Sequence, residues 1–157
     1  METPLSIATP PSSSRPPLGD VGERLAAEFL TKHGYRIVVT NFKVPVGRNS
    51  KGVAVTGEID VIALDGETLC FVEVKTRRSA EFTPIITNVD RRKQRQITRT
   101  ARVYRRIFNL TNTPVRFDVV TVLLPEHSTA EIEITKEFWR EEDFRKHTWN
   151  YTTWPDR

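Results

Sequence analysis

The apolar positions of this 157-residue chain change period several times, and each change marks an element. Val21, Leu25, Ala26, Phe29 and Leu30 recur at helical spacing, which predicts a first helix over Val21–His33. Asp20 stands where an N-cap belongs, Glu23 lies at the capping-box distance, and Gly34 is placed to end the helix. Tyr35–Phe42 reads as a strand, and Lys43–Thr56 as a polar, glycine-containing loop. Thr56–Arg77 then reads as a hairpin turning on Asp65-Gly66, a strong two-residue turn signal. After an irregular stretch over Arg78–Thr87, Val89, Ile97, Ala101, Tyr104 and Phe108 line one side of a long helix over Val89–Phe108. Val115–Leu124 is almost continuously apolar, as a central or parallel strand would be. Glu131–Thr135 alternates like an edge strand, and Lys136–His147 reads as a short amphipathic helix using Phe138, Trp139 and Phe144. The order α-β-β-β-α-β-β, without internal repeats, predicts an α/β fold with a mixed central β-sheet flanked by helices.

Within the hairpin, charge stands where the pattern is otherwise core-like. Gly57-Glu58-Ile59-Asp60-Val61-Ile62 and Phe71-Val72-Glu73-Val74-Lys75-Thr76 are both strand-like, yet each carries charges that are costly to desolvate. With Asp65 and Gly66 as the turn, Leu64 faces Glu67, Asp60 faces Phe71, and Glu58 faces Glu73. Side chains alternate along a strand, so Glu58, Asp60, Glu73 and Lys75 share one face with Ile62, Leu64, Leu69 and Phe71. Ile59, Val61, Ala63, Cys70, Val72 and Val74 fall on the other. Opposed side chains lie about 5 Å apart and diagonal ones about 7–8 Å, so Asp60 and Glu73 can share one cation. A loop with an odd number of residues would divide the cluster between the faces.

Composition adds where positive charge lies. The net charge is +4, and between Asn88 and Asn109 eight basic residues (Arg91, Arg92, Lys93, Arg95, Arg99, Arg102, Arg105 and Arg106) meet one acid, Asp90. Such a local excess suits a phosphate-binding surface. Lys93 falls in the inward line Val89–Lys93–Ile97–Ala101. There it either points, with Gln94, toward a scissile phosphate or snorkels along the core edge. Glu23 either closes a capping box or looks into the site, and the two roles are compatible. Glu58 reads as support rather than as a ligand. Asp118 reads as a satisfied core acid contacting Arg116, and His33, His127 and His147 lack ligand spacing.

Met1–Leu18 is rich in Pro and Ser and reads as a disordered tail, residues 19–147 as one domain, and residues 148–157 as a C-terminal tail. No apolar core follows a basic start as in a signal peptide, and no run approaches a transmembrane length. Cys70, the only cysteine, reads as a small core residue in a protein of the reducing cytoplasm.

Gly22-Glu23-Arg24-Leu25-Ala26-Ala27, Gly34-Tyr35, Gly57-Glu58-Ile59-Asp60, Phe71-Val72-Glu73-Val74-Lys75, Lys93-Gln94 and Arg116-Phe117-Asp118-Val119-Val120 together resemble the YraN-like family over roughly Gly19–Val122. This family of bacterial proteins of poorly defined function is similar in fold to the PD-(D/E)XK endonucleases and their Holliday-junction-resolvase branch. The resemblance implies a restriction-endonuclease-like core and a nuclease cutting DNA, branched or damaged DNA included. It places the metal-binding acids on Asp60 and Glu73, the catalytic lysine on Lys75, and the helix-borne glutamate of the resolvases on Glu23.

Mg²⁺ or Mn²⁺ is the implied cofactor, since Mg²⁺ takes one or two carboxylates and keeps several waters; the Val74 carbonyl offers a third oxygen. Lys93, Gln94, Arg91, Arg92, Arg95 and Arg99 are the expected nucleic-acid contacts. A homodimer is expected if two symmetric strands are cut, and no membrane is involved. The chain departs from the family pattern in its long Lys43–Thr56 segment and its Trp-rich end (Trp149, Trp154). A nucleic-acid-binding module that keeps the fold without turnover is the alternative, and an interaction protein docking through the aromatic tail is a third reading.

Overall fold

In the computed structural model, which describes residues 15–79 and 89–145, five strands form one mixed sheet with a helix on each face. The elements are α1 (Leu18–Lys32), β1 (Arg36–Arg48), β2 (Ala54–Asp65), β3 (Thr68–Arg77), α2 (Arg91–Ile107), β4 (Val115–Leu123) and β5 (Glu131–Trp139), closed by a 3-10 helix over Glu141–Phe144. The strands lie in the order β1-β2-β3-β4-β5. Only β3 and β4, joined through α2, run parallel. The near-continuous apolar run thus becomes a central parallel strand, as its pattern predicts. Ala26 and Leu30 of α1 pack on Val61, Ala63, Cys70, Val72, Val74, Val120 and Val122. Ile97, Ala101 and Tyr104 of α2 cover the opposite face with Ile59, Ile62, Leu69, Phe71, Phe117, Val119 and Trp139. Among the described residues no helix is long and apolar enough to cross a membrane.

Several expectations are corrected. The first helix starts at Leu18 behind Pro17, with no side-chain cap, so the capping box of Asp20 and Glu23 is not made. Asp20 instead sits within the first turn, where its charge favours the helix dipole. The loop expected at Lys43–Thr56 is mostly strand: β1 runs on to Arg48 and β2 begins at Ala54. Pro45, Gly47 and Gly52 disguise the alternation of Val44, Val46, Val53 and Val55. An edge strand such as β1 tolerates Pro45, and the register shifts between Pro45 and Gly47.

Over Lys136–His147 the described part is no amphipathic helix. β5 extends through Trp139, and Glu137 takes a φ of 52° at a register shift opposite Phe117–Val119. That irregularity turns Trp139 inward to stack on Phe117, with ring centroids 5.0 Å apart. The long helix, bounded by Asp90, takes its cap from that residue: the Lys93 N–H donates to Asp90 Oδ1 at 2.9 Å. Most of the two proposed tails and of the Arg78–Thr87 stretch lies outside the described residues.

The β2–β3 turn slides by one residue. Asp65 pairs with Thr68, Leu64 with Leu69 and Ile62 with Phe71, leaving Gly66 (φ 60°) and Glu67 in the loop. Every pair therefore shifts by two positions, and a shift of two preserves each residue's face. The expected opposition of Asp60 to Phe71 is replaced by a ladder ending at Val61 and Val72, one step short of Asp60 and Glu73.

Candidate functional site

Past Val61 and Val72 the sheet forks. β2 from Asp60 back to Ala54 pairs only with β1, while β3 from Glu73 onward pairs only with β4. At the crotch the Val74 backbone N–H donates to Asp60 Oδ2 at 2.7 Å. A carboxylate thus occupies the place of a strand carbonyl, which holds the acid inside the sheet.

The alternation of β2 breaks at the same point. Ile59 packs with Ile62 in the α2-side core, whereas Val61 packs in the α1-side core, although all odd positions were expected on one face. β1 breaks opposite: Val39, paired with Ile62, and Phe42, paired with Ile59, both pack against the α2-side core. Between them Asn41 takes a φ of 53°, a conformation that asparagine tolerates better than most residues. The two strands therefore turn over together around Asn41 and Asp60.

Glu73 is buried, with 2 % of its surface exposed. Its Oε1 receives Lys75 Nζ at 2.8 Å and Lys93 Nζ, from α2, at 3.4 Å. Among the described residues its buried Oε2 has no hydrogen-bond partner, and such an orphaned oxygen is costly unless something else meets it. Asp60 lies beside it, its carboxyl pushed up to about 7, first by burial and then by the charge of Glu73; the Val74 N–H and Lys93 oppose the rise. Two clustered, partly desolvated carboxylates with an unsatisfied oxygen are suited to a divalent cation. Among the described residues, no group of three or more His, Cys, Asp or Glu is placed to cage a metal ion. A two-carboxylate site that leaves room for water remains compatible with Mg²⁺.

Glu23 enters from α1. A side chain at Gly22 would collide with the Thr76 hydroxyl, and Thr76 Cβ stands only 2.8 Å from where its Cβ would be. That close approach seats α1 on β3 beside Lys75. The Glu23 carboxyl is raised by burial; a hydrogen bond from Asn41 works against the rise, while Asp20, Glu58 and Glu73 add to it. Glu58 is half exposed and pairs with Lys43 at 3.8 Å. Asn41 was not singled out in the sequence; its signal was a turn-prone residue in the middle of a strand.

The basic residues of α2 divide into two rows. Arg102 and Arg105 reach Glu141 at 2.6 and 2.9 Å, and Arg105 also donates to the Thr111 carbonyl at 2.7 Å. Arg91 and Arg95 lie over the Phe144 ring, 4.6 and 5.8 Å from its centroid. Arg92, Arg99 and Arg106 form the neighbouring row and are exposed. Gln94 is buried and donates to the Val89 carbonyl at 2.9 Å, so it fastens the approach to α2.

Asp118 is fully buried and takes two bonds from Arg116 Nε at 2.8 and 3.1 Å, and Arg116 also reaches Asp65 and the Tyr35 hydroxyl at 2.8 Å. The expected structural role for this acid is the one observed.

The profile of the uncharacterised protein family UPF0102 matches residues 22–122. A UPF0102 protein of Geotalea uraniireducens is 40% identical over 120 residues, covering 76% of this chain and 87% of that protein. One from Koribacter versatilis is 42% identical over 118 residues (75% and 76%), and one from Caldanaerobacter subterraneus subsp. tengcongensis 42% over 115 residues (73% and 86%). The matched span contains the runs that carry the resemblance to the YraN-like family and bears that resemblance out. A solved structure described as the crystal structure of SSO0001 overlaps 79% of this chain and 52% of its own at 16% identity, with a TM-score of 0.39. That overlap says nothing about chemistry.

Proposed function

The chain belongs to the uncharacterised protein family UPF0102, and for this member we propose metal-dependent hydrolysis of DNA phosphodiester bonds, branched or damaged DNA included. The observation that carries the reading is the orphaned, buried Glu73 Oε2 beside Asp60 at the fork. Asp60 and Glu73 would hold Mg²⁺ or Mn²⁺. When bound, the ion supplies Lewis acidity and a water of lowered pKa.

The chain's own groups supply the rest. Lys75 Nζ, anchored on Glu73 Oε1, presents its remaining N–H groups to the phosphate oxygens at the mouth of the site. Lys93 approaches the same oxygen from α2 and brings a second positive charge to the phosphate. Glu23, with its carboxyl raised, faces the centre from α1 as an acid or a bridge to water. The exposed α2 arginines would hold the backbone without reading bases.

A specific observation favours a second reading. Both lysines already neutralise Glu73 Oε1, and among the described residues no third acid joins Asp60 and Glu73 closely enough to cage an ion. A module that binds nucleic acid without turnover would look similar. The experiment that separates the two incubates purified protein with duplex, single-stranded and four-way DNA and Mg²⁺ or Mn²⁺, beside Asp60→Ala, Glu73→Ala and Lys75→Ala. The expected result is cleavage by the native protein and a loss of about 10²–10³-fold or more in each variant. Cleavage surviving in all three would overturn the assignment, and intact binding without any cleavage would establish the module. If the junction is the substrate, sedimentation with four-way DNA should show two copies bound, one for each strand cut.

A further inference from the structure

We propose that the hairpin formed by the distal halves of β1 and β2 is a second nucleic-acid-binding element, a basic arm that grips the duplex backbone away from the carboxylate centre. The inference rests on the DNA-directed reading above. From Lys43 to Gly57 the chain carries three cations, Lys43, Arg48 and Lys51, and no acid. Lys43 is partly answered by Glu58 at the base of the arm, whereas Arg48 and Lys51 stand exposed at its end. Among the described residues no acid pairs with Arg48 or Lys51, and such a basic projection fits a polyanion by charge alone.

The arm is built to stay in one shape. β1 and β2 are paired from Val44 and Gly57 out to Arg48 and Ala54. Phe42, Val44, Val46 and Val55 are half-buried along it, while Lys43, Pro45 and Thr56 are exposed. Gly57 allows contact with α2: any side chain there would strike the Thr100 hydroxyl and Val46. At the tip, Asn49 Oδ1 accepts the N–H groups of Lys51 and Val53, each at 3.0 Å, and Arg48 donates to the Gly52 carbonyl at 2.6 Å. The backbone that carries these cations, and the Arg48 guanidinium itself, are therefore ordered before binding.

The arm is also continuous with the helix. The Arg99 guanidinium lies against Gly47, where even a methyl group would meet its Nη2 at 2.5 Å. Arg92 and Arg99 on α2 and Arg48 and Lys51 on the hairpin thus border one basic surface. Val53 lies seven residues from Asp60, up to about 23 Å at strand rise, or roughly six or seven base-pair steps. The arm's cations would therefore contact phosphates well beyond the one being attacked.

The test uses the full chain and a labelled 30-base-pair duplex in EDTA, with affinity read across a range of NaCl concentrations. Arg48→Ala with Lys51→Ala should reduce the slope of log K against log salt by about two and weaken binding by about tenfold or more at physiological salt. The melting temperature should move little, because both side chains are exposed at the tip and the single bond lost, from Arg48 to the Gly52 carbonyl, is at the surface. Arg48→Lys with Lys51→Arg should keep the native slope. An unchanged slope in the double alanine variant, while Arg99→Ala still flattens it, overturns the arm and leaves the DNA-directed reading standing. Absence of salt-sensitive binding by the native chain overturns both.

Discussion

The Val74 N–H of β3 bonds the Asp60 carboxylate of β2 at 2.7 Å, so a side chain closes the fork where the ladder stops. Burial and the neighbouring Glu73 raise the Asp60 carboxyl from 3.8 to about 7. The folded state then holds more protons than the unfolded state between those values, so stability falls as pH rises across that window and levels off above it. At about 1.36 kcal/mol per pH unit, the full shift is worth roughly 4 kcal/mol. Asp60→Asn keeps an oxygen for the Val74 N–H while removing the charge. Melting curves of the metal-free variant should exceed the native protein at pH 8 and converge with it near pH 4. Mg²⁺ should raise the native melting temperature more at pH 8 than at pH 5.5 and leave Asp60→Asn nearly unmoved. A native curve parallel to the variant's at every pH would contradict the coupling.

Gly22 matters through the distance it permits. A methyl group there meets Thr76 of β3, so Gly22→Ala should push α1 off the sheet at a cost of about 1–3 kcal/mol. Glu23 would move with the helix. Activity should therefore fall further than the unfolded fraction accounts for, and Gly22→Ala with Thr76→Ala, which removes the hydroxyl and methyl but leaves a Cβ 2.8 Å away, should recover part of both. Failure of the double variant to recover stability would remove the contact as the cause.

Arg116 should behave as a structural residue. It is the main partner of a fully buried acid, Asp118, and also ties Asp65 and Tyr35 into the same network. Arg116→Ala leaves that acid uncompensated and should cost about 3–5 kcal/mol by chemical denaturation. DNA affinity, extrapolated to the folded fraction, should be unchanged.

Why these features differ in legibility is physical. Asp60, Glu73 and Lys75 could be read together before the fold was known because face depends on parity and the turn's slide moved every pair by an even step, whereas Glu58 leaves that face where β2 turns over. Asp118 was readable because Arg116 lies two residues away on the same strand. The inversion at Asn41 and Asp60 was not, since alternation arguments assume a regular backbone and a positive φ breaks that assumption. The arm was hidden by Pro45, Gly47 and Gly52, which mark loops in most settings but are admissible on an edge strand. The division of the α2 arginines was invisible for another reason: Glu141 and Phe144, which engage one row, lie at least 34 residues beyond the helix's end at Ile107.

That division yields the sharpest contrast between two like residues. Arg105 is largely buried, bonded to Glu141 and to the Leu110 and Thr111 carbonyls. Arg99 is exposed, its guanidinium against Gly47 of the arm. Removing Arg105 leaves Glu141 held by Arg102 alone and frees two carbonyls, so Arg105→Ala should cost roughly 1–2 kcal/mol of stability. The salt slope of DNA binding should stay as it was, because that guanidinium is already occupied. Arg99→Ala should do the reverse, with unchanged melting and a slope lower by about one. Arg95→Ala should resemble Arg99→Ala, since the Phe144 ring stacks on its guanidinium without neutralising it. If Arg105 and Arg99 shift the slope equally, the 3-10 helix over Glu141–Phe144 must yield to nucleic acid, and the contact surface would cover both rows of α2.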